Sequence, residues 1–211
     1  MPDLADLADA LLAAARKAGA DAADALAISA EDVGVGVREG ALEEAERAES
    51  VDFGLRVLIG RRQACVSASD PRPEILATLA ERAVAMAREA PEDPYCGLLD
   101  PSDLGAPVDA ATLAMDDPAG APEAAVLEKL AREAEDAARG VEGVAQVESA
   151  SASWRRSAIA LAASNGFRGG YARASASIAA SAIAGEGLTM ETDYAYESRR
   201  RFADLRAPGE I

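Results

Sequence analysis

Histidine is missing from all 211 residues, and this absence excludes more chemistry than any other feature of the sequence. A histidine-based zinc site, a Ser-His-Asp triad and a Cys-His pair cannot be assembled within the chain. Cysteine occurs twice, as Cys65 and Cys96 in different expected elements, too few for a four-cysteine zinc site. An isolated pair in a reducing compartment reads as two free thiols. No apolar run approaches the roughly 20 residues that span a bilayer. The N-terminus carries Asp3 and Asp6 with no basic stretch, unlike a signal peptide, so the expected compartment is the cytoplasm. Aromatics make up only 4% of the chain, so small side chains, alanine above all, must pack closely in place of bulky anchors.

What is present is acid. With 37 Asp and Glu against 21 Lys and Arg, the net charge is -16, which argues against nucleic acid or an anionic membrane as partner. A carboxylate-only site for magnesium or calcium would need clustered acids, but no Asp-x-Asp-x-Asp-Gly loop occurs, and solvated acidic faces account for these residues. The glycines of Gly34-Val35-Gly36-Val37-Arg38-Glu39-Gly40 alternate with valine at the period of a strand, with the wrong spacing for a dinucleotide loop. Neither a Gly-x-x-x-x-Gly-Lys-Ser/Thr run nor a Gly-x-Ser-x-Gly elbow exists, so phosphate-loop and serine-hydrolase readings have no support.

The hydrophobic periods divide the chain. Leu4, Leu7, Leu11, Leu12 and Ala15 share a helical face, with Asp3 placed to cap it and Gly19 to end it. From Asp24 to Ser69 the period becomes two. Leu26 and Ile28, then Val33, Val35 and Val37, then Val51 to Ile59, then Ala64, Val66 and Ala68 read as inward positions of a meander with turns at Glu39-Gly40 and Gly60-Arg61. Residues 41–49 have helical propensity but are read as strand because a tight turn precedes them. Asp70-Pro71 reads as the start of a second helix running to Pro91. A third helix runs from Pro122 to about Arg139, with Val126, Leu127, Leu130, Ala134 and Ala137 inward and Gly140 as its stop. Strands over Val144–Trp154, Ser157–Ala163, Tyr171–Ala184 and Leu188–Arg199 follow, broken at Arg155-Arg156, Ser164-Asn165-Gly166 and Gly185-Glu186-Gly187.

The fold class is therefore α+β, two small helix-plus-antiparallel-sheet units joined by a Pro/Gly-rich connector. The expected divisions are residues 1–92, an N-terminal α+β domain; 93–121, the connector; and 122–211, a helix followed by long strands. The last piece ends at Ala-Pro-Gly-Glu-Ile without a closing element, so it is expected to be incomplete and to belong to a longer protein.

Three features bear on function. Cys65 falls on the less buried side of its strand or in a small pocket; a reactive thiol there would need a nearby cation, with Arg61 and Arg62 close in sequence, but a structural thiol packed as a small hydrophobe is the favoured reading. Trp154 reads either as a cap on the core or as part of an interface. The last strand places Met190, Thr192, Tyr194 and Tyr196 on one face and Glu191, Asp193 and Glu197 on the other, ahead of Arg199, Arg200 and Arg201. This is either an ordinary edge strand with a solvated acidic side or a contact surface, because Tyr and Arg are enriched where proteins bind each other. The candidate partner or substrate surface is Asp193, Tyr194, Tyr196, Arg199 and Arg200. No acid or base there is aligned with a nucleophile.

The strings Ala-Gly-Ala-Asp-Ala-Ala-Asp-Ala at 18–25, Gly34 to Gly40 leading into Phe-Gly-Leu-Arg-Val at 53–57, Ala-Ser-Asn-Gly-Phe-Arg-Gly-Gly-Tyr at 163–171, and Met-Glu-Thr-Asp-Tyr-Ala-Tyr at 190–196 resemble, in that order, the TldD/PmbA family. Such proteins were once described as modulators of DNA gyrase and are now described as zinc-dependent peptidases. Ser-Asn-Gly and Asp-Tyr-Ala-Tyr resemble the PmbA (TldE) branch. The resemblance implies that a TldD-type subunit carries zinc on a His-Glu-x-x-x-His motif in a later region, while a PmbA-type subunit lacks those ligands and completes the chamber. No residue here matches the motif, so no catalytic or metal role transfers and no cofactor is expected in this chain. The implied partners are a TldD-like subunit or a second copy of the chain, with peptide as substrate. The alternative is a stand-alone acidic interaction module with no peptidase role.

Overall fold

The computed structural model describes residues 3–105 and 110–211. Nine main elements follow in order: α1 (Leu4–Ala18), β1 (Ala22–Arg38), β2 (Ala41–Ile59), β3 (Arg62–Ala68), α2 (Pro73–Glu89), α3 (Ala124–Arg139), β4 (Val144–Ala163), β5 (Arg168–Ala184) and β6 (Glu191–Arg199). The six strands form one antiparallel sheet in the order β3-β2-β1-β4-β5-β6, an α+β architecture. None of the described helices is long and apolar enough to cross a membrane.

Two compact units are interleaved along the chain. The first takes residues 1–29, 50–112 and 158–171, and the second takes 30–49, 113–157 and 172–211. The consecutive pieces read from the sequence, 1–92, 93–121 and 122–211, follow the hydrophobic punctuation instead. A period-two pattern continues unbroken where a strand passes from one core to the other, so β1, β2, β4 and β5 each serve both units. Of the connector, residues 106–109 lie outside the described part, with Pro107 among them.

In the first unit, α1 starts where Asp3 Oδ1 accepts the amides of Ala5 and Asp6 at 2.8 and 3.1 Å, and it ends at Gly19 in the left-handed region. Its Leu7 and Leu11 join Leu76, Leu79 and Ala83 of α2 over Phe53, Leu55 and Val57 of β2. From β1 the core takes Ala23, Ala25 and Ala27, while Leu26 is exposed. Leu26 and Ile28 are therefore not the inward pair. Alternation fixes two faces but not which of them is covered, and close packing favours the methyl-sized face. The helix α2 begins at Pro73 rather than Pro71. A residue before proline is held extended, as Arg72 is at φ -63° and ψ 140°, and this defers the first turn. Asp70 instead grips the Arg72 side chain, with Oδ1 and Oδ2 both accepting from Nε at 2.9 and 2.8 Å.

In the second unit α3 covers Val33, Val35 and Val37 of β1, Ala150 and Ala152 of β4 and Ile178 of β5 with Leu127, Ala131 and Ala134. Val126 is exposed, contrary to its expected inward place, and the position one turn on from Ala131 is taken by a carboxylate, Glu135. The side chain of Glu135 is only 1% exposed and accepts the Gly40 amide at 2.9 Å, while Arg139 donates to it at 2.6 Å. Arg132 also donates to the Gly40 carbonyl. The tight turn at Glu39 and Gly40, both at positive φ, is thus clamped by α3 through its backbone. The expected break at Arg155-Arg156 does not occur, because β4 is continuous there. Acids meet both cations, Asp32 with Arg155 at 3.3 Å and Asp116 with Arg156 at 2.8 Å, so neither charge forces the strand to end. Trp154 is buried at 1% exposure. Both cysteines are free thiols.

Candidate functional site

β6 forms an edge of the sheet. Its register against β5 sets Glu197 opposite Ile178, Ala195 opposite Ala180 and Asp193 opposite Ala182, while Tyr196 faces Ala179 and Tyr194 faces Ser181. Ile178 and Ala180 belong to the core under α3, so the odd-numbered side chains point toward the helix and the tyrosines point away from it. Opposite Ser181 and Ala179 in the register, Tyr194 and Tyr196 stay 71% and 65% exposed. They lie against each other, centroids 6.3 Å apart and planes inclined by 27°. Leu188 and Met190, just before the strand, are also exposed. Edge position, aromatic pairing and apolar neighbours together give contact chemistry.

The remaining predicted residues are placed differently. The Asp193 carboxylate accepts the Tyr194 amide at 2.8 Å and lines an apolar cavity of about 310 Å³ with Ala137, Val141, Val144, Ile178 and Ile211. Arg199 pairs with Glu197, and Arg200 donates to the Ala174 carbonyl at 3.4 Å. Both arginines are thus engaged with their own unit.

Glu197, expected on a solvated acidic side, is buried. It accepts the Arg206 amide and Nε, each at 2.7 Å, and these bonds fasten the stretch after β6. Burial pushes the Glu197 carboxyl upward, but the Arg206 hydrogen bonds and the charges of Arg199 and Arg206 outweigh it and hold the group below its ordinary value. Asp117, also buried, accepts the Phe202 amide at 2.9 Å. Sequence reasoning passed over Asp117 and Arg206 because nothing in local spacing links residue 117 to 202 or 197 to 206.

Zinc, implied by the family resemblance, has no fitting ligand set here. There is no histidine, and among the described residues no three Cys, Asp or Glu side chains gather where they could hold a metal ion. The β6 face thus presents two exposed, stacked tyrosines on an edge strand.

Comparison with known proteins places the chain in a family. Residues 23–87 match a family model of the PmbA/TldA metallopeptidase domain 1, and residues 117–211 match that of the PmbA/TldA metallopeptidase central domain. The metalloprotease PmbA of Escherichia coli O157:H7 is 27% identical over 188 residues, 89% of this chain and 41% of that protein. A crystal structure from Bacteroides thetaiotaomicron VPI-5482, described as a candidate modulator of DNA gyrase, superposes with a TM-score of 0.85 at 23% identity, covering 97% of this chain and 46% of that one. TldE from Thermococcus kodakarensis superposes with a TM-score of 0.75 at 15% identity, covering 92% of this chain and 43% of that one. These two likenesses speak for the fold. The chain belongs to the PmbA/TldD family and is PmbA/TldE-like. It spans less than half the length of the curated relative it matches.

Proposed function

We propose that this chain is the N-terminal, non-catalytic portion of a PmbA/TldE-type subunit. In this reading it shapes the chamber of a TldD-type zinc peptidase in the cytoplasm and holds the partner or the peptide through β6. The observation that carries the reading is the stacked, exposed Tyr194–Tyr196 pair on an edge strand beside Leu188 and Met190. Large, rigid aromatic surface bought at two torsions per ring is what protein interfaces select. In this reading zinc sits on the TldD-type partner, as the resemblance to the PmbA (TldE) branch implies. Asp193 and Arg199 lie on the opposite face of β6 and Arg200 is held by the Ala174 carbonyl, so in this reading they position the strand that carries the rings.

Co-purification with a TldD-type subunit tests the reading. Retention of the chain by that subunit, and its loss when Tyr194 and Tyr196 are both alanine, is the expected result. A chain that ignores the TldD-type subunit but binds an unrelated protein would establish the stand-alone acidic module instead. Stoichiometric zinc retained by the chain alone after dialysis would contradict the non-catalytic assignment.

A further inference from the structure

Both thiols of the chain lie around one ion pair in the first unit. Ala64, Val66 and Ala68 of β3 pack against the helix-covered core, so alternation turns Gln63, Cys65 and Ser67 to the other face. Arg56 of β2 stands directly opposite Cys65. Its Nε donates to Asp24 at 2.9 Å and its Nη1 donates to Gln63 at 3.3 Å, which hold the guanidinium on that same face.

The connector returns to this face. The Asp93 amide donates to the Arg61 carbonyl at 2.8 Å at the β2–β3 turn, and the Cys96 amide donates to Asp93 at 3.2 Å. Cys96 then lines a cavity with Asp24 and Arg56, together with Leu99, Leu104 and Phe167. Cys65 lines a second cavity that has Asp24 and Arg56 in its wall as well. Arg56 is thus common to both. Its guanidinium is held more firmly protonated, chiefly by the Asp24 hydrogen bond working against burial, with smaller contributions from Cys65 and Cys96. Cys65 is exposed and Cys96 half-buried, so both are reachable by small reagents.

The geometry points to Cys65 and Cys96 as an oxidative modification site, a thiol pair that closes an intrachain disulfide when it meets a low-molecular-weight disulfide such as oxidised glutathione. The Cys65 thiolate attacks one glutathione sulfur; the glutathione S–S bond breaks, and the first glutathione thiolate leaves. The Cys96 thiolate then attacks the Cys65 sulfur, which displaces the second glutathione. The two protein thiols give up two electrons, one oxidised glutathione becomes two reduced ones, and the thiol protons pass to the departing thiolates. The Arg56 guanidinium lines both cavities in which these sulfurs react.

A disulfide holds its Cα atoms within about 7 Å, so the bridge tethers the connector to β3. Residues 96–100 form no helix or strand, and beyond Asp93 they are fastened by the Asn165 side chain donating to the Leu99 carbonyl at 2.9 Å. The consequence is a connector fixed to β3 immediately after Tyr95, which is 94% exposed.

Incubating the dilute chain with oxidised glutathione and mapping its peptides without reduction tests this. The expected result is loss of both free thiols, the mass of the reduced chain less two hydrogens, and a single cross-linked peptide joining Cys65 to Cys96. Cys65→Ser and Cys96→Ser each stop at a glutathione adduct on the remaining thiol. Arg56→Gln slows closure about tenfold while Arg56→Lys restores it. Glutathione retained on both cysteines of the wild-type chain, chain-to-chain disulfides, or two unreacted thiols would each overturn the assignment.

Discussion

In the first unit the interior is built from aliphatic and aromatic side chains, Leu11, Leu76 and Leu79 over Phe53, Leu55 and Val57, with alanines closing the gaps. The second unit has a smaller apolar core and also contains the buried carboxylates found among the described residues: Asp117, Glu135 and Glu197. Each of the three accepts a backbone amide from a segment that would otherwise be loosely placed: Gly40 in the hairpin, Phe202 and Arg206 after β6. Apolar burial is non-directional and stabilises many arrangements, whereas a buried carboxylate is satisfied in few. The first unit is thus held by area. The second adds point contacts that fix where its turn and its last residues lie, and β6, which carries the candidate surface, is bounded by two of them.

The largest effect should come from cutting the apolar core. Leu55→Ala, at a fully buried position over which both helices pack, is expected to cost about 2–5 kcal/mol in urea unfolding. Next comes Glu135→Ala, which strips the Gly40 amide of its acceptor and leaves Arg139 without its closest partner. A loss of about 1–3 kcal/mol is expected, and Glu135→Gln should recover part of it because an amide oxygen still accepts. If Glu135→Ala proved neutral while Leu55→Ala unfolded the chain, the second unit would also be held by area and the contrast would fail.

Acid should weaken the second unit's ion pairs more gently. The hydrogen bond from Arg156 first, and its charge after that, hold the Asp116 carboxyl below the usual aspartate range, and Glu197 is depressed as well. A carboxylate with a folded pKa below its unfolded value contributes stability in full above the unfolded value, about 3.9 for aspartate, and loses it as pH falls through the folded one. Stability measured from about pH 6 down to about pH 3 should therefore drop more for the wild type than for Asp116→Asn, which has already lost that contribution. The smallest effect belongs to the surface: Tyr194→Ala with Tyr196→Ala should move unfolding stability by no more than about 0.5 kcal/mol per site, because the rings are exposed.

Sequence reading served the first unit better than the second, for reasons visible in individual residues. Asp3 and Gly19 announce the ends of α1 in their own side chains, and the alternation from Val51 to Ile59 states which face of β2 is buried. Leu26 misled because bulk was taken for burial where alanines face the helices. In the second unit the deciding contacts join residues 95 apart for Gly40 and Glu135 and 85 apart for Asp117 and Phe202, separations no local pattern encodes. Arginines 155 and 156 read as a break because their acid partners, Asp32 and Asp116, are likewise remote. On β6 the alternation correctly separated Tyr194 and Tyr196 from Asp193 and Glu197, but it could not show that the acidic side faces α3, which buries Glu197 and engages Arg199. The cation near Cys65 was sought among sequence neighbours, Arg61 and Arg62, whereas strand register supplies Arg56.

Calorimetric titration of the chain into a purified TldD-type subunit, with the wild type and the Tyr194→Ala/Tyr196→Ala variant compared side by side, tests the central claim most directly. The account predicts saturable binding by the wild type and an affinity at least about tenfold weaker for the variant, about 1.4 kcal/mol, at unchanged stability. Absence of binding by the wild type, or equal affinity for the two chains, would contradict it.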